Sequence, residues 1–135
     1  VPEVLMWIKK IHARTQWTAS VCTGSLILGA AGILSGVKAT THWAVMDRLV
    51  NWGAVPTQKR FVEDGKIITA AGVSAGIDMA LYLAAKLSDQ HTACSLQLGL
   101  EYDPEPPFDM GSPDKASEAV IQAVLERLKH KFEPA

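Results

Sequence analysis

The chain has 135 residues, of which 48% are hydrophobic and 20% are charged, and its formal net charge at pH 7 is −1. A chain of this length can bury one hydrophobic core, so the composition predicts a single globular domain. The balanced charge argues against a nucleic-acid-binding surface, and the longest apolar run, residues 26–34, is far shorter than the roughly 20 residues that span a membrane.

Helical and extended patterns alternate along the first half of the chain. Five elements are predicted there: a helix over residues 2–14, a buried strand over 17–21, a helix over 23–34, a brief strand over 37–41 and a helix over 43–52. The second helix is apolar nearly all round, which predicts that it is buried. Gly53 is expected to end the third helix in a left-handed conformation.

The second half begins with a hairpin signal, because Asp64-Gly65 joins two apolar runs and such a turn matches the twist of paired strands. The predicted elements are strands over residues 60–63 and 66–70, a helix to residue 87 capped near Ser74, a helix from Ser88-Asp89 to residue 100, a proline-rich loop over 101–108, and a helix over 114–132 capped by Ser112 or Asp114. Alternating strands and helices predict a layered α/β domain.

Cys22 is the candidate nucleophile, because it lies where a strand turns sharply into a helix. The first N–H groups of that helix lack partners and, with the helix dipole, favour the thiolate over the thiol. Small residues on both sides of Cys22 allow strand, turn and helix to approach closely. The alternative is that Cys22 is a small buried hydrophobic residue, as most free cysteines are.

Two neighbours of this corner are candidates for supporting roles. His42 ends the next predicted strand, so a parallel arrangement would bring it to the same sheet edge, where it would accept a proton or stabilise the thiolate as imidazolium. The alternative is a histidine that only hydrogen-bonds in a turn. Thr23 offers a backbone N–H to an anion near Cys22, and its hydroxyl either donates as well or caps the helix.

The remaining reactive side chains have simpler explanations. His12, His91 and His130 are expected to be solvated, Cys94 to lie in the core, and Asp78 to complement a helix dipole. Tyr102 and Phe108 would line a pocket, form a dimer contact or cover the core. We predict no metal site, since no group of residues has ligand spacing.

The cysteines show no disulfide framework, which is typical of a reducing compartment and predicts the cytoplasm. No signal peptide is predicted. The chain starts without methionine at Val1-Pro2-Glu3, a pattern typical of a helix start, so we expect that it begins inside a longer protein.

Four motifs in order resemble the ThiJ/PfpI superfamily, within the class I glutamine amidotransferase-like fold, and most closely its isonitrile hydratases and the ligand-binding domains of AraC-type regulators. They are Ser20-Val21-Cys22-Thr23-Gly24-Ser25, Ala39-Thr40-Thr41-His42-Trp43, Gly72-Val73-Ser74-Ala75-Gly76-Ile77-Asp78 and Glu101-Tyr102 ahead of Pro106-Pro107-Phe108. The resemblance implies a flavodoxin-like layered sheet between helices, and it covers essentially the whole chain.

The resemblance also implies an activity. The family's elbow cysteine matches Cys22 and its nearby histidine matches His42, while Thr23 stands where the protease-like branch has histidine, which makes proteolysis less expected. An isonitrile hydratase would add the Cys22 thiolate to an isonitrile and release an N-substituted formamide without a cofactor. Gly72, Ile77 and Tyr102 are then expected to line the substrate pocket, and members of the superfamily are commonly homodimers.

One departure from the family concerns the start of the chain. The family's acidic residue beside the nucleophile and its glycine-rich loop come from strands that precede the first helix seen here. Residues 1–135 are therefore expected to be the C-terminal portion of one domain, with the missing N-terminal strands supplied by a longer protein or another chain. Alone, the chain is expected to be inactive or incompletely folded.

Two other functions compete with the hydratase. The same domain senses small ligands in AraC-type regulators, which carry a C-terminal helix-turn-helix region; none is predicted within residues 1–135, so we expect the enzyme. A stress-related glyoxalase or deglycase shares the elbow cysteine in a different motif context. Turnover of an isonitrile would distinguish the hydratase from both.

Overall fold

The structure, a computed structural model, describes residues 1–132 and divides into two compact units, Val1–Tyr102 and Asp103–Ala135. The described helices are α1 (Pro2–His12), α2 (Gly24–Ala30), α3 (Val73–Leu87), α4 (Gln90–Gly99) and α5 (Glu118–Phe132), with a 3₁₀ segment over Trp43–Trp52. The described strands are β1 (Thr18–Val21), β2 (Lys38–Ala39), β3 (Val55–Pro56), β4 (Phe61–Asp64) and β5 (Ile67–Ala70). The predicted α/β class is confirmed.

The main sheet of the first unit has the order β1-β5-β4. β1 runs parallel to β5, with Val21 opposite Ala70, and β4 runs antiparallel to β5. Ser20 is the buried residue of β1, so the prediction of a buried strand is wrong for its other residues. The physical reason is that, among the described residues, β1 has β5 on one side and a free edge on the other.

The hairpin between β4 and β5 is confirmed, but its turn differs by one residue from the prediction. Asp64 pairs with Ile67, so the turn residues are Gly65 and Lys66, and Gly65 has a φ of 60°. The Asp64 carboxylate accepts a hydrogen bond from the Lys38 N–H at 2.8 Å. This bond ties Asp64 to the start of β2 and keeps it in the strand.

A second, two-stranded sheet pairs β2 with β3 in parallel. Strand β3 was not predicted, because two residues that include Pro56 carry no periodic signal. The pairing extends past both strands through hydrogen bonds from the Val55 N–H to the Val37 oxygen and from the Thr57 N–H to the Ala39 oxygen, each 2.8 Å long.

Several helix boundaries differ from the predicted ones. α2 ends at Ala30 instead of Leu34, and Gly32 follows with a φ of 80°, which favours glycine. α2 is also not buried all round, since Ile27 is half exposed. α3 is capped by Gly72 without a side-chain bond, so the cap predicted at Ser74 or a neighbouring residue lies two residues before Ser74.

The helix predicted over Trp43–Trp52 is a 3₁₀ segment with a kink at Val45. Its predicted end is confirmed, because Gly53 is left-handed with a φ of 72°. In the second unit, α5 begins at Glu118, four residues after the predicted start, and the Val120 N–H contacts the Ser117 hydroxyl at 3.4 Å.

Cys94 does not lie in the core as predicted, because it is exposed on α4. The apolar residues that suggested a buried stripe are also exposed: Leu96 and Leu98 of α4, and Leu100 directly after it. Leu98 is two positions from each of the other two and so points to a different side of the helix, which means that the three cannot form one stripe. The predicted start is confirmed, since Asp89 caps α4 by accepting from the Thr92 N–H at 2.7 Å.

The core of the first unit lies on both faces of β5. Ile67 packs with Leu28, Leu34 and Leu49, while the adjacent Ile68 packs in a separate cluster with α3 residues. Successive residues of a strand point to opposite faces, so β5 is the central layer that both clusters share. This layering holds the carboxyl ends of β1 and β5 in place.

Gly29 lies where α2 packs closely against Trp52 of the 3₁₀ segment. A Cβ at this position would lie 2.7 Å from a ring carbon of Trp52, whereas a Cβ at Gly99 would meet nothing within 4 Å. We expect Gly29→Ala to lower the free energy of unfolding by about 1–3 kcal/mol, because the indole ring must shift. The matched control Gly99→Ala is expected to be neutral or slightly stabilising. Urea unfolding curves measure both, and equal effects would contradict this packing.

Candidate active site

Cys22 lies between β1 and α2 with a φ of 57°, in the left-handed region that side-chain-bearing residues seldom adopt. Such a conformation costs about 1–3 kcal/mol and persists where the surrounding structure fixes it. The nucleophile elbow of hydrolases has this strand-to-helix geometry. The thiol is free and the residue is half-buried, so it is not sealed inside the core.

Hydrogen bonds hold the Cys22 backbone from both sides. Its N–H donates to the carbonyl oxygens of Ala71 at 2.8 Å and Ala70 at 3.1 Å, at the end of β5. Its own carbonyl oxygen accepts from the Thr41 hydroxyl at 2.9 Å and from the Ser25 hydroxyl at 3.4 Å. The partners come from three different parts of the chain, which explains how the strained conformation is kept.

The buried polar side chains of residues 1–132 form a hydroxyl cluster around this elbow, consisting of Ser20, Ser25, Thr40, Thr41 and Thr69. Within the cluster, the Thr40 N–H donates to the Thr69 hydroxyl at 2.9 Å, and Thr69 lies opposite Ser20 in the sheet. The hydroxyl oxygens of Ser20 and Thr40 are buried without a partner among the described residues. Two of these hydroxyls, those of Ser25 and Thr41, contact the Cys22 backbone directly.

Thr23 precedes the first residue of α2 and makes no side-chain capping bond. The predicted use of its hydroxyl as a cap is thus not what the structure shows. The N–H groups at the start of a helix have no partner within the helix. Both the hydroxyl and the N–H of Thr23 thus remain for other interactions.

His42 directly follows Thr41, which contacts the Cys22 carbonyl group. Within residues 1–132, no hydrogen bond joins the Cys22 and His42 side chains. The Nδ1 atom of His42 accepts the Ala44 N–H at 3.2 Å, so the neutral ring carries its proton on Nε2. Burial lowers the pKa of His42, since desolvation disfavours the imidazolium. The ring is therefore a neutral Nε2–H donor near pH 7.

The lowered pKa of His42 gives a testable pH dependence. A folded-state value below the unfolded value of about 6.5 means that neutral His42 contributes stability above pH 6.5, which is lost as pH falls through the folded pKa. We expect the ring-proton NMR titration of His42 to have a midpoint below that of the urea-unfolded protein.

His42→Gln assigns the signal, and His12→Gln is the control, because the pKa of His12 is also lowered, by burial and then by the charge of Lys66. A His42 midpoint at or above the unfolded value would contradict the buried, neutral ring.

The three predicted pocket residues lie in or next to α3. Gly72 precedes α3, and a Cβ added there would lie 4.0 Å from His42 Cδ2, so Gly72 and His42 are neighbours. Ile77 is 39% exposed on α3. Tyr102 is half-buried and donates to Asp78 of α3 at 2.5 Å. Phe108, on the proline-rich loop, is exposed.

Asp78 holds a charged network that sequence reasoning missed. Its carboxylate accepts from the Tyr102 hydroxyl and, at 2.5 Å, from Arg60 Nε, so its predicted role of complementing the helix dipole is incomplete. The hydrogen bond from the Tyr102 hydroxyl to Asp78 raises the pKa of Tyr102, because it stabilises the protonated phenol next to an anion. No spacing signal links three residues so far apart in sequence.

The network lies at the same sheet edge as Cys22. The Ala71 N–H donates to the Arg60 oxygen at 2.8 Å, and the Ala71 oxygen accepts the Cys22 N–H. Arg60 and Cys22 therefore flank Ala71, two strand spacings or roughly 10 Å apart. The backbone of Arg60 thus lies at the same end of the sheet as the elbow.

The other histidines divide into two groups. His91 and His130 are exposed, as predicted. His12 is half-buried instead of solvated, because its Nδ1 atom is 2.8 Å from the Thr18 hydroxyl and Lys66 donates to its carbonyl group. His12 also lines an apolar cavity that includes Trp7, Trp17 and Leu28 but not Cys22.

Two general searches cover residues 1–132. In this part of the chain, no three histidine, cysteine or acidic residues are grouped as metal ligands would be. None of its helices is long and apolar enough to span a membrane.

Comparison with known proteins shows which family the chain is similar to. The model of the DJ-1/PfpI family matches residues 1–86. The chain belongs to the DJ-1/PfpI family. It is 50% identical to an isonitrile hydratase of Pseudomonas putida over 93% of the chain and 55% of that enzyme. It is also 36% identical to the HTH-type transcriptional regulator CdhR of Pseudomonas aeruginosa over 63% of the chain and 26% of the regulator.

A crystal structure of a ThiJ/PfpI family protein from Pseudomonas syringae superimposes with a TM-score of 0.91 and 48% identity over 95% of the chain. This likeness confirms the flavodoxin-like α/β fold predicted from the motifs. The chain spans about half the length of these two relatives, 55% of the P. putida enzyme and 53% of the P. syringae protein.

Proposed function

We propose that the complete protein is an isonitrile hydratase with Cys22 as its nucleophile. The observation that supports this most directly is the left-handed conformation of a half-buried free cysteine at the junction of β1 and α2. The 50% identity to an isonitrile hydratase supports the substrate class. The reaction written below proceeds without a metal or an organic cofactor.

The reaction adds one water molecule across the terminal carbon of R–N≡C. The Cys22 thiolate forms a C–S bond to that carbon, and an acid protonates the carbon to give the thioimidate R–N=CH–S. Water then adds its oxygen to the carbon and one proton to the nitrogen. Collapse of this adduct breaks the C–S bond, returns the remaining hydroxyl proton to the acid's conjugate base, and releases R–NH–CHO with the thiolate.

Three groups share the supporting roles in this proposal. The backbone N–H of Thr23 stabilises the anion that develops next to Cys22, as an oxyanion-hole donor does. The Nε2–H of His42 donates a hydrogen bond to the reacting atoms, because the neutral ring has its proton there. The acid that protonates carbon is not assigned to a residue of this chain; the family's acidic residue beside the nucleophile, expected from a longer protein or another chain, is the candidate.

The substrate side chain R would contact Gly72, Ile77 and Tyr102. Gly72 lies beside His42, so a side chain at this position would narrow the space next to the imidazole. The Arg60, Asp78 and Tyr102 network would then form the polar rim of the pocket. The complete protein would act as a homodimer, as is common in this superfamily, and its mass in solution tests that expectation.

A second candidate is a domain that senses a small ligand without converting it. The 36% identity to a transcriptional regulator over 63% of the chain favours it. A sensor needs the same pocket but not a reactive thiol. Loss of the Cys22 thiol would then leave ligand binding intact.

The decisive experiment incubates the complete protein with cyclohexyl isocyanide and follows the formyl proton of N-cyclohexylformamide by NMR. We expect turnover, and a loss of at least about 10³-fold in Cys22→Ala, because removal of a nucleophile abolishes covalent catalysis. Cys94→Ser is the matched control, since this exposed thiol lies outside the elbow.

Absence of turnover, with an isonitrile that still raises the melting temperature of Cys22→Ala, would favour the sensor. Equal loss of activity in Cys94→Ser would contradict the assignment of Cys22 as the nucleophile.

A further inference from the structure

The Cys22 carbonyl oxygen accepts two hydroxyl donors, and they are not equivalent. Thr41 Oγ1 is 2.9 Å away, whereas Ser25 Oγ is 3.4 Å away, close to the limit of a hydrogen bond. Thr41 is completely buried, so water does not compete for its bond. The Thr41 bond is therefore the main side-chain restraint on the carbonyl half of the elbow.

We propose that Thr41 is a positioning residue, which holds Cys22 in its left-handed conformation by donating its hydroxyl to the Cys22 carbonyl oxygen. The inference rests on the proposed function only where turnover is concerned. The hydrogen bond from Thr41 orients the Cys22 thiol, so its effect on alkylation of that thiol does not depend on which substrate the protein converts.

The position of Thr41 in the chain explains why this bond matters. Thr41 immediately precedes His42, whose Nδ1 atom is fixed by the Ala44 N–H. Thr41 also follows Thr40, whose N–H donates to Thr69 of β5 at 2.9 Å. The segment is thus anchored to β5 on one side of Thr41 and to the 3₁₀ segment on the other. Its hydroxyl sets the position of the elbow relative to both β5 and the imidazole.

The hydrogen bonds made by the Cys22 N–H do not fix the thiol by themselves. The Cys22 N–H bonds to the end of β5 constrain the peptide group before Cys22. The peptide group after Cys22 is constrained by the two hydroxyls alone among side chains of the described residues. Loss of the Thr41 hydroxyl therefore leaves the longer Ser25 bond as the remaining side-chain restraint within the described residues, and we expect this bond to be too weak to keep the thiol in its productive orientation.

The test compares Thr41→Val, which keeps the shape but removes the hydroxyl, with Thr41→Ser, which keeps the hydroxyl. Both are made in the complete protein in a Cys94→Ser background, and alkylation is followed on the peptide that contains Cys22. The first readout is the rate of alkylation by iodoacetamide near pH 7, followed by mass spectrometry. The second is kcat and KM with cyclohexyl isocyanide.

We expect Thr41→Val to lower both the alkylation rate and kcat by about tenfold or more, with KM within about twofold of its original value, because small misplacement of a nucleophile affects the chemical step. Thr41→Ser is expected to stay within about twofold in each readout. A protein without isonitrile turnover but with this order of alkylation rates would contradict the proposed function and support the role of Thr41.

Two results would overturn the role of Thr41. One is unchanged alkylation and kcat in Thr41→Val. The other is equal impairment of Thr41→Ser and Thr41→Val, because the hydroxyl retained in Thr41→Ser would then not preserve the position of the thiol. If Thr41→Val shows no cooperative melting transition, Thr41→Ala is compared with Thr41→Ser, since these two variants differ in the hydroxyl alone. Alkylation at least about threefold slower in Thr41→Ala than in Thr41→Ser supports the role of Thr41, and equal rates overturn it.

Discussion

The candidate site depends on the backbone conformation of one residue, Cys22. Its N–H group is held by the end of β5, and its carbonyl group is held by hydroxyls from α2 and from the segment before His42. Because each partner belongs to a different element, the left-handed conformation exists only when sheet, helix and loop are all in place. The cost of a strained corner is thus met by tertiary structure and not by local sequence.

Local signals predicted much of this arrangement. The junction of strand and helix at Cys22, the hairpin around Gly65 and the end of the 3₁₀ segment at Gly53 all depend on a few adjacent residues. The four family motifs then predicted the fold class, which the P. syringae structure confirms. Hydrophobic pattern and turn chemistry are sufficient at this level, because they act over short distances.

The side-chain contacts could not be predicted, because they join residues that are distant in sequence. Thr41 reaches the Cys22 carbonyl, and Tyr102 reaches Asp78, through contacts that leave no periodic trace. The error at Cys94 has a different origin. Its apolar neighbours occur at every second position, and this spacing does not describe one face of a helix.

The distribution of charge around Cys22 bears on what the site can bind. The buried polar side chains of the described residues are hydroxyls, burial lowers the pKa of His42, and Arg60 is paired with Asp78. These residues therefore supply hydrogen-bond donors and acceptors near Cys22, and none of the buried side chains among them carries a charge at pH 7. Under the proposed function, an uncharged isonitrile would lose less hydration than an ion on entering such surroundings.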